Sequence, residues 1–431
     1  MRLKSIVYNV FLFVLFFLLP FSISGKEEPD LREAFAERFY ARENWLIKKS
    51  PADFALKLAK MRQDPHRFYR ATPYLFYSDM QVLNSGILKK ALKYKTVIQA
   101  DCHLYNFVID ARAPENAFFY LGDLDESVKA PIIFDLIRLG TSFILEVAQK
   151  PLEHLEKRRL FFLFLEAYAR FLETKPEEIK KFLTNPQPLY PYLEKVPGKK
   201  TNKLLQKFLR KMVVGTKLKR NEKVLDIDPE VVESLTKKFQ RRKPVPNASL
   251  ARLKILDVAK LVGKGGSSIG RERFLFLAEN ENEKQYVILD AKEIQHSVVE
   301  KEGWAQKLDI DFRIKGNYRN ANITYFVDLS VFNYAGTIFK VERAAWGHYK
   351  LDGEKFLSSV DYIEVIPHIA AALAYFHQGR NPNSSRRKVL KKFARFLQKN
   401  SQGIFEIVKK EAAWVISDFN SLKELYPEKT E

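Results

Sequence analysis

The sequence predicts an α+β chain with a helix-rich lobe and a small lobe built on an antiparallel sheet, and three observations predict it. Apolar residues recur at helical spacing over residues 28–62, 135–146 and 158–173, whereas from Val258 to Val341 they alternate in short strand-like runs. Two polar clusters, around Asp101 and around Asp123, sit where β-branched or aromatic runs stop. With 431 residues, 46% hydrophobic composition and only 17 Gly and 19 Pro, the chain is long enough to bury a large core shared by two lobes.

Taken in order, the first 25 residues differ from the rest. Arg2 and Lys4 precede an almost wholly apolar run from Ile6 to Leu19, followed by Pro20 and the small-residue segment Ser22 to Gly25. That pattern predicts a secretory signal peptide over 1–25, cleaved near Ser24 or Gly25, with an uncleaved membrane anchor as the alternative. The expected destination is therefore the periplasm or the exterior. The sole cysteine, Cys102, has no partner for an intramolecular disulfide. The formal charge of +21, from 73 basic and 52 acidic residues, predicts attraction to polyanions such as nucleotides, anionic lipid or acidic envelope polymers.

The helix-rich lobe is expected over 26–245. Residues 28–62 place Leu31, Phe35, Phe39 and Tyr40 on one helix face. The following segment, KMRQDPHRFYRATPYLFY, mixes cations with aromatics, and Lys60, Arg67 and Arg70 are within reach of a phosphate from here. The run Thr96 to Ile98 stops at Asp101. Phe107 to Ile109 and Phe118 to Leu121 then flank the turn ARAPEN as a hairpin, and Asp135 to Glu146 reads as an amphipathic helix. The hairpin brings Asp101, His103 and Asn106 of the first polar loop close to Asp123, Asp125 and Glu126 of the second. Such an acidic group repels itself unless a cation joins it. Asp135, in the first turn of the helix, suits the helix dipole or anchors the loop holding Asp101. Thr174-Lys175-Pro176-Glu177 reads as a capping box opening a helix to Leu183. From Lys199 to Lys243 the basic runs KKTNK, KLKRNEK and KKFQRRKPVP read as surface helices and a linker ending at Pro246. They lack interleaved stacking aromatics, so nucleic acid is not the expected partner.

The sheet lobe is expected over 246–355. Val258 to Val262 leads into Gly263-Lys264-Gly265-Gly266-Ser267-Ser268-Ile269-Gly270, and Phe274 to Leu277 returns as a strand. A strand, a glycine-rich turn and a return strand form a flap whose backbone N–H groups can cover phosphates. A dinucleotide-binding turn must open into a helix, and a Walker A loop needs Lys before Ser or Thr; neither is present. A third strand, Tyr286 to Asp290, ends at Ala291-Lys292-Glu293 and offers Lys292 to nucleotide phosphates, with Glu293 or Glu300 as its pairing acid. Further strands are expected at Ile323 to Val327 and Thr337 to Val341. The C-terminal helices of 356–431 are expected to pack on the helical lobe, one stopped by Gly379 and two more following Arg386, with His377 as a capping or packing residue.

Asp101 followed five residues later by Asn106, then a hairpin ending in Asp123, is the layout of kinase-type phosphoryl transfer: a base, a metal-binding amide and a metal-binding carboxylate. The glycine flap and lysine ordinarily come first; here they follow. Joining the helix that ends near Arg380 to the strand entering Asp101 restores the usual order, so the expected fold is a two-lobed protein-kinase-like one, circularly permuted.

The motifs KMRQDPHRFYR, ADCHLYNF, LGDLDE with FDLIRL, GKGGSSIGRERF, LDAKE and FKVERAAWGHYKLD occur in that order over roughly residues 60 to 380. In them the chain resembles the bacterial family catalogued as domain of unknown function 2252, grouped with protein-kinase-like folds. Ala100 stands where that family usually has Gly, Ser267 replaces a loop glycine, Ala71 follows Arg70 where Gly is common, and Leu124 takes a usual Phe position. By analogy with kinase-like proteins, Asp101 would deprotonate an acceptor hydroxyl and His103 would orient its loop. Asn106, Asp123 and Asp125 would hold Mg²⁺, and Lys292 with Gly265, Ser267, Ser268 and Gly270 would bind ATP. This analogy, together with the leader, leads to the expectation of an exported Mg-dependent phosphotransferase with an unidentified hydroxyl acceptor. The alternative is a non-catalytic, pseudokinase-like envelope protein that binds anionic partners through its basic surface.

Overall fold

The structure is a computed structural model that describes residues 32–111, 116–150, 154–194, 201–241, 243–244, 253–280, 284–320, 329–344, 347–379 and 382–427. The expected leader and the strand expected at Ile323 to Val327 lie outside them. No described helix is long and apolar enough to cross a membrane.

The first described helices are α1 (Phe35–Lys49), α2 (Pro51–Met61), α3 (Pro65–Ala71) and α4 (Pro73–Val82). Proline opens three of them, which divides one helical pattern into segments, because the residue before proline leaves the α region. The Ser50 and Asp64 side chains accept the Asp53 and Arg67 N–H groups as N-caps. After α5 (Gly86–Ala91) the expected strand, loop, hairpin, loop and helix appear as β1 (Lys95–Ile98), β2 (Phe107–Asp110), β3 (Phe118–Leu121) and α6 (Ile133–Ala148). A strand that sequence reading missed, β4 (Val128–Pro131), pairs antiparallel with β1 and closes residues 99–127 into one excursion. Helix α6 is buried on nearly all sides, Asp135, Arg138 and Ser142 included, so its polar face lies inside the protein as well as its apolar one.

Next come α7 (His154–Glu173) and α8 (Pro176–Leu183). The expected capping box does not form: the Thr174 hydroxyl donates to the Arg170 carbonyl at 3.0 Å, and the N-cap is Lys175, without a side-chain bond. The basic segment is also more than a linker. It contains α9 (Thr201–Met212), strand β5 (Val224–Leu225), α10 (Pro229–Gln240) and strand β6 (Lys243–Pro244). Both strands join the sheet that follows.

That sheet is antiparallel and has seven described strands. β7 (Leu253–Leu261), β8 (Arg273–Asn280) and β9 (Gln285–Ile294) lead to α11 (Val298–Lys301) and α12 (Ile310–Asn320), then to β10 (Ser330–Tyr334) and β11 (Thr337–Arg343). The spatial order is β5-β7-β8-β9-β11-β10-β6, so the boundary expected at 245/246 cuts through the sheet. Alternation along β8 explains its two faces. Phe274 and Phe276 join a core with Phe239 and Leu289, and Leu275 and Leu277 join another with Leu209 and Ile288.

A last strand, β12 (His348–Lys350), adds to the β2–β3 hairpin. Helix α13 (Ser359–Gln378) ends at Gly379 with φ 71°, as its sequence predicts. The two helices expected beyond it are present as α14 (Ser384–Leu425), which is divided by a kink at the non-helical Asn400. The largest core joins the helices to Ile294, Val298 and Ile314, which come from the end of β9 and from α11 and α12. The architecture is thus α+β with antiparallel sheets.

Candidate functional site

The first polar loop is held by a carboxylate from beneath. The Gln99 and Ala100 N–H groups donate to the two oxygens of Asp135 at 2.7 and 2.9 Å, and His377 Nε2 meets the same carboxylate at 3.0 Å. Tyr168 OH meets His377 Nδ1 at 2.6 Å, and Tyr77 OH donates to the Ala100 carbonyl at 2.7 Å. Asp135 is therefore the loop anchor that its position suggested, and His377 is a buried packing residue that orients it. Ala100 adopts φ 71°, the left-handed region that costs a residue with a Cβ about 1–2 kcal/mol.

This frame presents Asp101, His103 and Asn106. Asp101 accepts from Arg138 Nη2 at 2.6 Å and Nε at 3.2 Å. Burial nonetheless outweighs that pairing and pushes the carboxyl up to about 6. Asn106 Nδ2 donates to the Asp101 carbonyl at 2.9 Å, which fixes which end of the amide is oxygen. Burial, reinforced by Arg70, holds His103 well below the usual histidine range, so the ring is neutral and does not supply a proton. Cys102 is buried and its thiol is pushed up by burial, as befits an inert packing residue. Near it, Ser142, His66 and Glu146 form a chain, with Ser142 Oγ 2.8 Å from His66 Nε2. Ser142 is fully buried and also accepts the Leu104 N–H, so the chain supports the loop and offers no exposed nucleophile.

The second polar loop also bends through the left-handed region, at Asp123 with φ 51° and ψ 66°. Asp123 is about half exposed, while Asp125 is buried between two lysines. Lys292 Nζ donates to Asp125 Oδ2 at 2.6 Å and lies 3.9 Å from Asp123; Lys340 forms a close ion pair with the other Asp125 oxygen. Lys292 on β9 and Lys340 on β11 are register partners, where like charges repel, and Asp125 offsets that repulsion. Burial pushes the Asp125 carboxyl up, but the two ammoniums prevail and hold it far below the usual carboxylate range. Lys340 also donates to Tyr318 OH at 2.9 Å and pairs with Glu342 at 3.0 Å. Neither Glu293 nor Glu300 partners Lys292, contrary to expectation. Glu293 accepts the Glu272 N–H at 2.8 Å, and Glu300 completes the capping box of α11. The loop itself is fixed by Arg313, which donates to the Asp125 and Ser127 carbonyls at 2.8 and 2.9 Å. Glu126 adds to this by accepting the Val298 N–H at 2.7 Å.

Both loops line one cleft of about 1050 Å³, and so do Gly265, Ser267, Ser268 and Lys292. The glycine loop connects β7 to β8 as expected. Gly265, at φ 105°, has no room for a Cβ beside Ser268 Oγ. Gly270 stands apart from the cleft lining: at φ 87° its bare Cα packs against Leu46 of α1, and its carbonyl accepts from Lys49 at 3.0 Å. Lys60, considered as a phosphate ligand, instead donates to the Gly263 and Gly265 carbonyls at 2.9 and 3.1 Å and tethers the loop to α2. On the sheet beneath, Arg273 grips Asp290 with two bonds of 2.6 Å and Lys264 adds a third at 3.2 Å. Burial raises the Asp290 carboxyl, yet these cations bring it down to about 2.

The profile of a family described as an uncharacterized protein conserved in bacteria (DUF2252) matches residues 49–317. The chain belongs to that family. The family span contains both polar loops, the glycine loop and Lys292, while Lys340 and the motif FKVERAAWGHYKLD lie beyond it. No curated protein and no solved structure matches the chain.

Of the residues predicted from sequence, Asp101, His103, Asn106, Asp123, Asp125, Gly265, Ser267, Ser268 and Lys292 are brought to one cleft, and Gly270 is not. Among the described residues, no three His, Cys, Asp or Glu side chains converge as a metal cage. A cation here would rest on Asn106 and Asp123, because Asp125 is committed to its lysines. Sequence reading passed over Arg138, Arg313 and Lys340. The signal for Lys340 was its place between Phe339 and Val341, whose burial in the Phe239 core turns the lysine to the other face of the strand.

Proposed function

We propose that this chain is an exported, Mg-dependent phosphotransferase that uses a nucleotide, built as a two-lobed kinase-like fold in circularly permuted order. The observation that carries the proposal is the convergence on one cleft of Asp101, Asn106 and Asp123 from the helical part with Lys292 and the glycine loop from the sheet. Leader-like residues at the amino terminus support export.

In this reading Asp101 takes the proton of the acceptor hydroxyl as its oxygen bonds to the transferred phosphorus and the bond to the leaving phosphate breaks. A carboxyl near 6 is a carboxylate at neutral pH and still basic enough to help, a contribution of about a hundred- to ten-thousand-fold. Arg138 holds Asp101 in place. The hard oxygens of Asn106 and Asp123 suit Mg²⁺, which when bound would neutralise phosphate charge. Lys292 would bind the same phosphates, with Gly265, Ser267 and Ser268 offering backbone and hydroxyl groups above them. A competing reading, a non-catalytic scaffold for anionic envelope material, draws on the +21 charge and on the double hold of Asp125.

Thermal melting with and without ATP and Mg²⁺, in the natural chain, Asp123→Ala and Lys292→Met, separates the two. We expect a metal-dependent rise in melting temperature that both substitutions abolish. Absence of any such rise in the natural chain overturns phosphotransfer; a rise that survives both substitutions moves the nucleotide to another site.

A further inference from the structure

Two polar groups of the cleft wall have no part in nucleotide binding as described above. Arg70, in the last turn of α3, lines the cleft, and its guanidinium carbon lies 4.9 Å from the centroid of the Tyr105 ring. Its Nε has no hydrogen-bond partner among the described residues. His103 is only 3% exposed, lines the same cleft, and its Nδ1 is likewise without a partner there. Buried polar atoms are nearly always satisfied, so two such atoms on one wall call for a common explanation.

The carboxylates of this wall are committed elsewhere. Asp101 is bound by Arg138 through its Oδ1. Asp64 caps α3 and pairs with Arg67 at 3.0 Å. Glu146 accepts from Tyr105 OH at 3.0 Å and lies 3.4 Å from His66. Arg70 is therefore not needed as a counter-ion to any of them, and a largely buried guanidinium without its own anion is costly. Burial indeed lowers its pKa, and Asp101 is the strongest of the charges acting on it. Arg70 is thus close to the group proposed to receive the acceptor's proton. The cations of the sheet, Lys292, Lys340 and Arg273, come from strands and gather around Asp125 and Asp290, whereas Arg70 and His103 come from α3 and the first polar loop.

We propose that Arg70 and His103 form an oxyanion subsite that recognises the acceptor, a hydroxyl compound bearing a carboxylate or a phosphate beside the hydroxyl presented to Asp101. The planar guanidinium matches either oxyanion with two parallel N–H groups, and its stacking on Tyr105 fixes the plane in advance. A neutral imidazole donates one further N–H, which places recognition on geometry as well as charge. The word acceptor rests on the phosphotransfer reading; the subsite itself binds its anion with or without a nucleotide.

The test is calorimetric titration of the full chain with sn-glycerol 3-phosphate, D-glycerate and neutral glycerol, beside a parallel titration with MgATP. We expect at least one anion to bind, glycerol not to bind, and the preferred anion to tell phosphate from carboxylate. Arg70→Gln should weaken the anion at least tenfold, Arg70→Lys and His103→Gln by less, and Lys292→Met should leave it unchanged. Each variant's melting temperature without ligand reports folding, and if Arg70→Gln does not fold, Arg70→Lys and His103→Gln carry the comparison. The inference is overturned if neither anion binds, if glycerol binds equally well, or if Lys292→Met abolishes anion binding while the Arg70 and His103 variants keep it. Anion binding without MgATP binding sinks the phosphotransfer reading and leaves the subsite standing.

Discussion

Asp135 and Asp125 are both buried carboxylates under the same cleft, and they are satisfied in opposite ways. Asp135 bonds to main-chain N–H groups of Gln99 and Ala100 and to His377, itself pinned by Tyr168. Asp125 is held by the tips of two lysines on neighbouring strands. A backbone partner cannot leave without unfolding the loop, whereas an ammonium on a four-carbon stem can turn to an arriving oxyanion without moving the main chain, the new pairing offsetting the loss of the old one. The lesson is a division of labour. The first polar loop is a fixed frame that sets where Asp101 stands, and the lysine pair is a reserve of positive charge parked on Asp125.

The strongest way to break this comparison is to remove the frame. Asp135→Ala strips two buried N–H groups and His377 of their acceptor at once, and we expect a loss of about 3–5 kcal/mol, read as a fall in the urea midpoint. A loss below about 1 kcal/mol would mean that the loop holds itself. Lys340→Met probes the other side. Asp125 keeps Lys292 and the methionine fills the lysine's apolar volume, so the expected loss is smaller, about 1–3 kcal/mol. Should it equal the loss from Asp135→Ala in the same titration, the lysines are structural and not a mobile reserve.

The same contrast explains what the sequence could reveal. Asp101 and Asp123 were legible because each stands just beyond an apolar run, and Asn106 because it stands just before one, so a strand end announced each of them. Lys292 was legible from the glycine loop and strand before it. Arg138 and Arg313 were not, since each is a helix cation whose partner is set only by tertiary packing; Arg313 meets the Asp125 carbonyl across 188 residues of sequence. The antiparallel character of the sheet followed from alternation, but its edge strands did not. Val224–Leu225 and Lys243–Pro244 are too short to show a period, and they lie in runs whose charge reads as solvent-exposed. Thr174 failed as a cap for a local reason: Pro176 opens the helix and makes Lys175 the N-cap, while Thr174 stays bonded to the turn before it.

The finest test concerns Ala100, where the frame stores strain. Ordinarily, a buried alanine changed to glycine loses a methyl's burial, about 0.8 kcal/mol, and adds about 0.5–1 kcal/mol of unfolded-chain entropy. Ala130, fully buried on β4, should show that full cost, about 1.5 kcal/mol. Ala100 is equally buried but sits at φ 71°, where its Cβ costs about 1–2 kcal/mol that glycine relieves. The two terms nearly cancel, so Ala100→Gly should leave the urea midpoint within about 1 kcal/mol of the natural chain while Ala130→Gly lowers it. Equal losses at the two alanines would show that the left-handed turn carries no strain. In that case the Asp135 and Tyr77 bonds would not be holding the loop against a backbone preference, and the frame would be rigid for want of an alternative, not because anything restrains it.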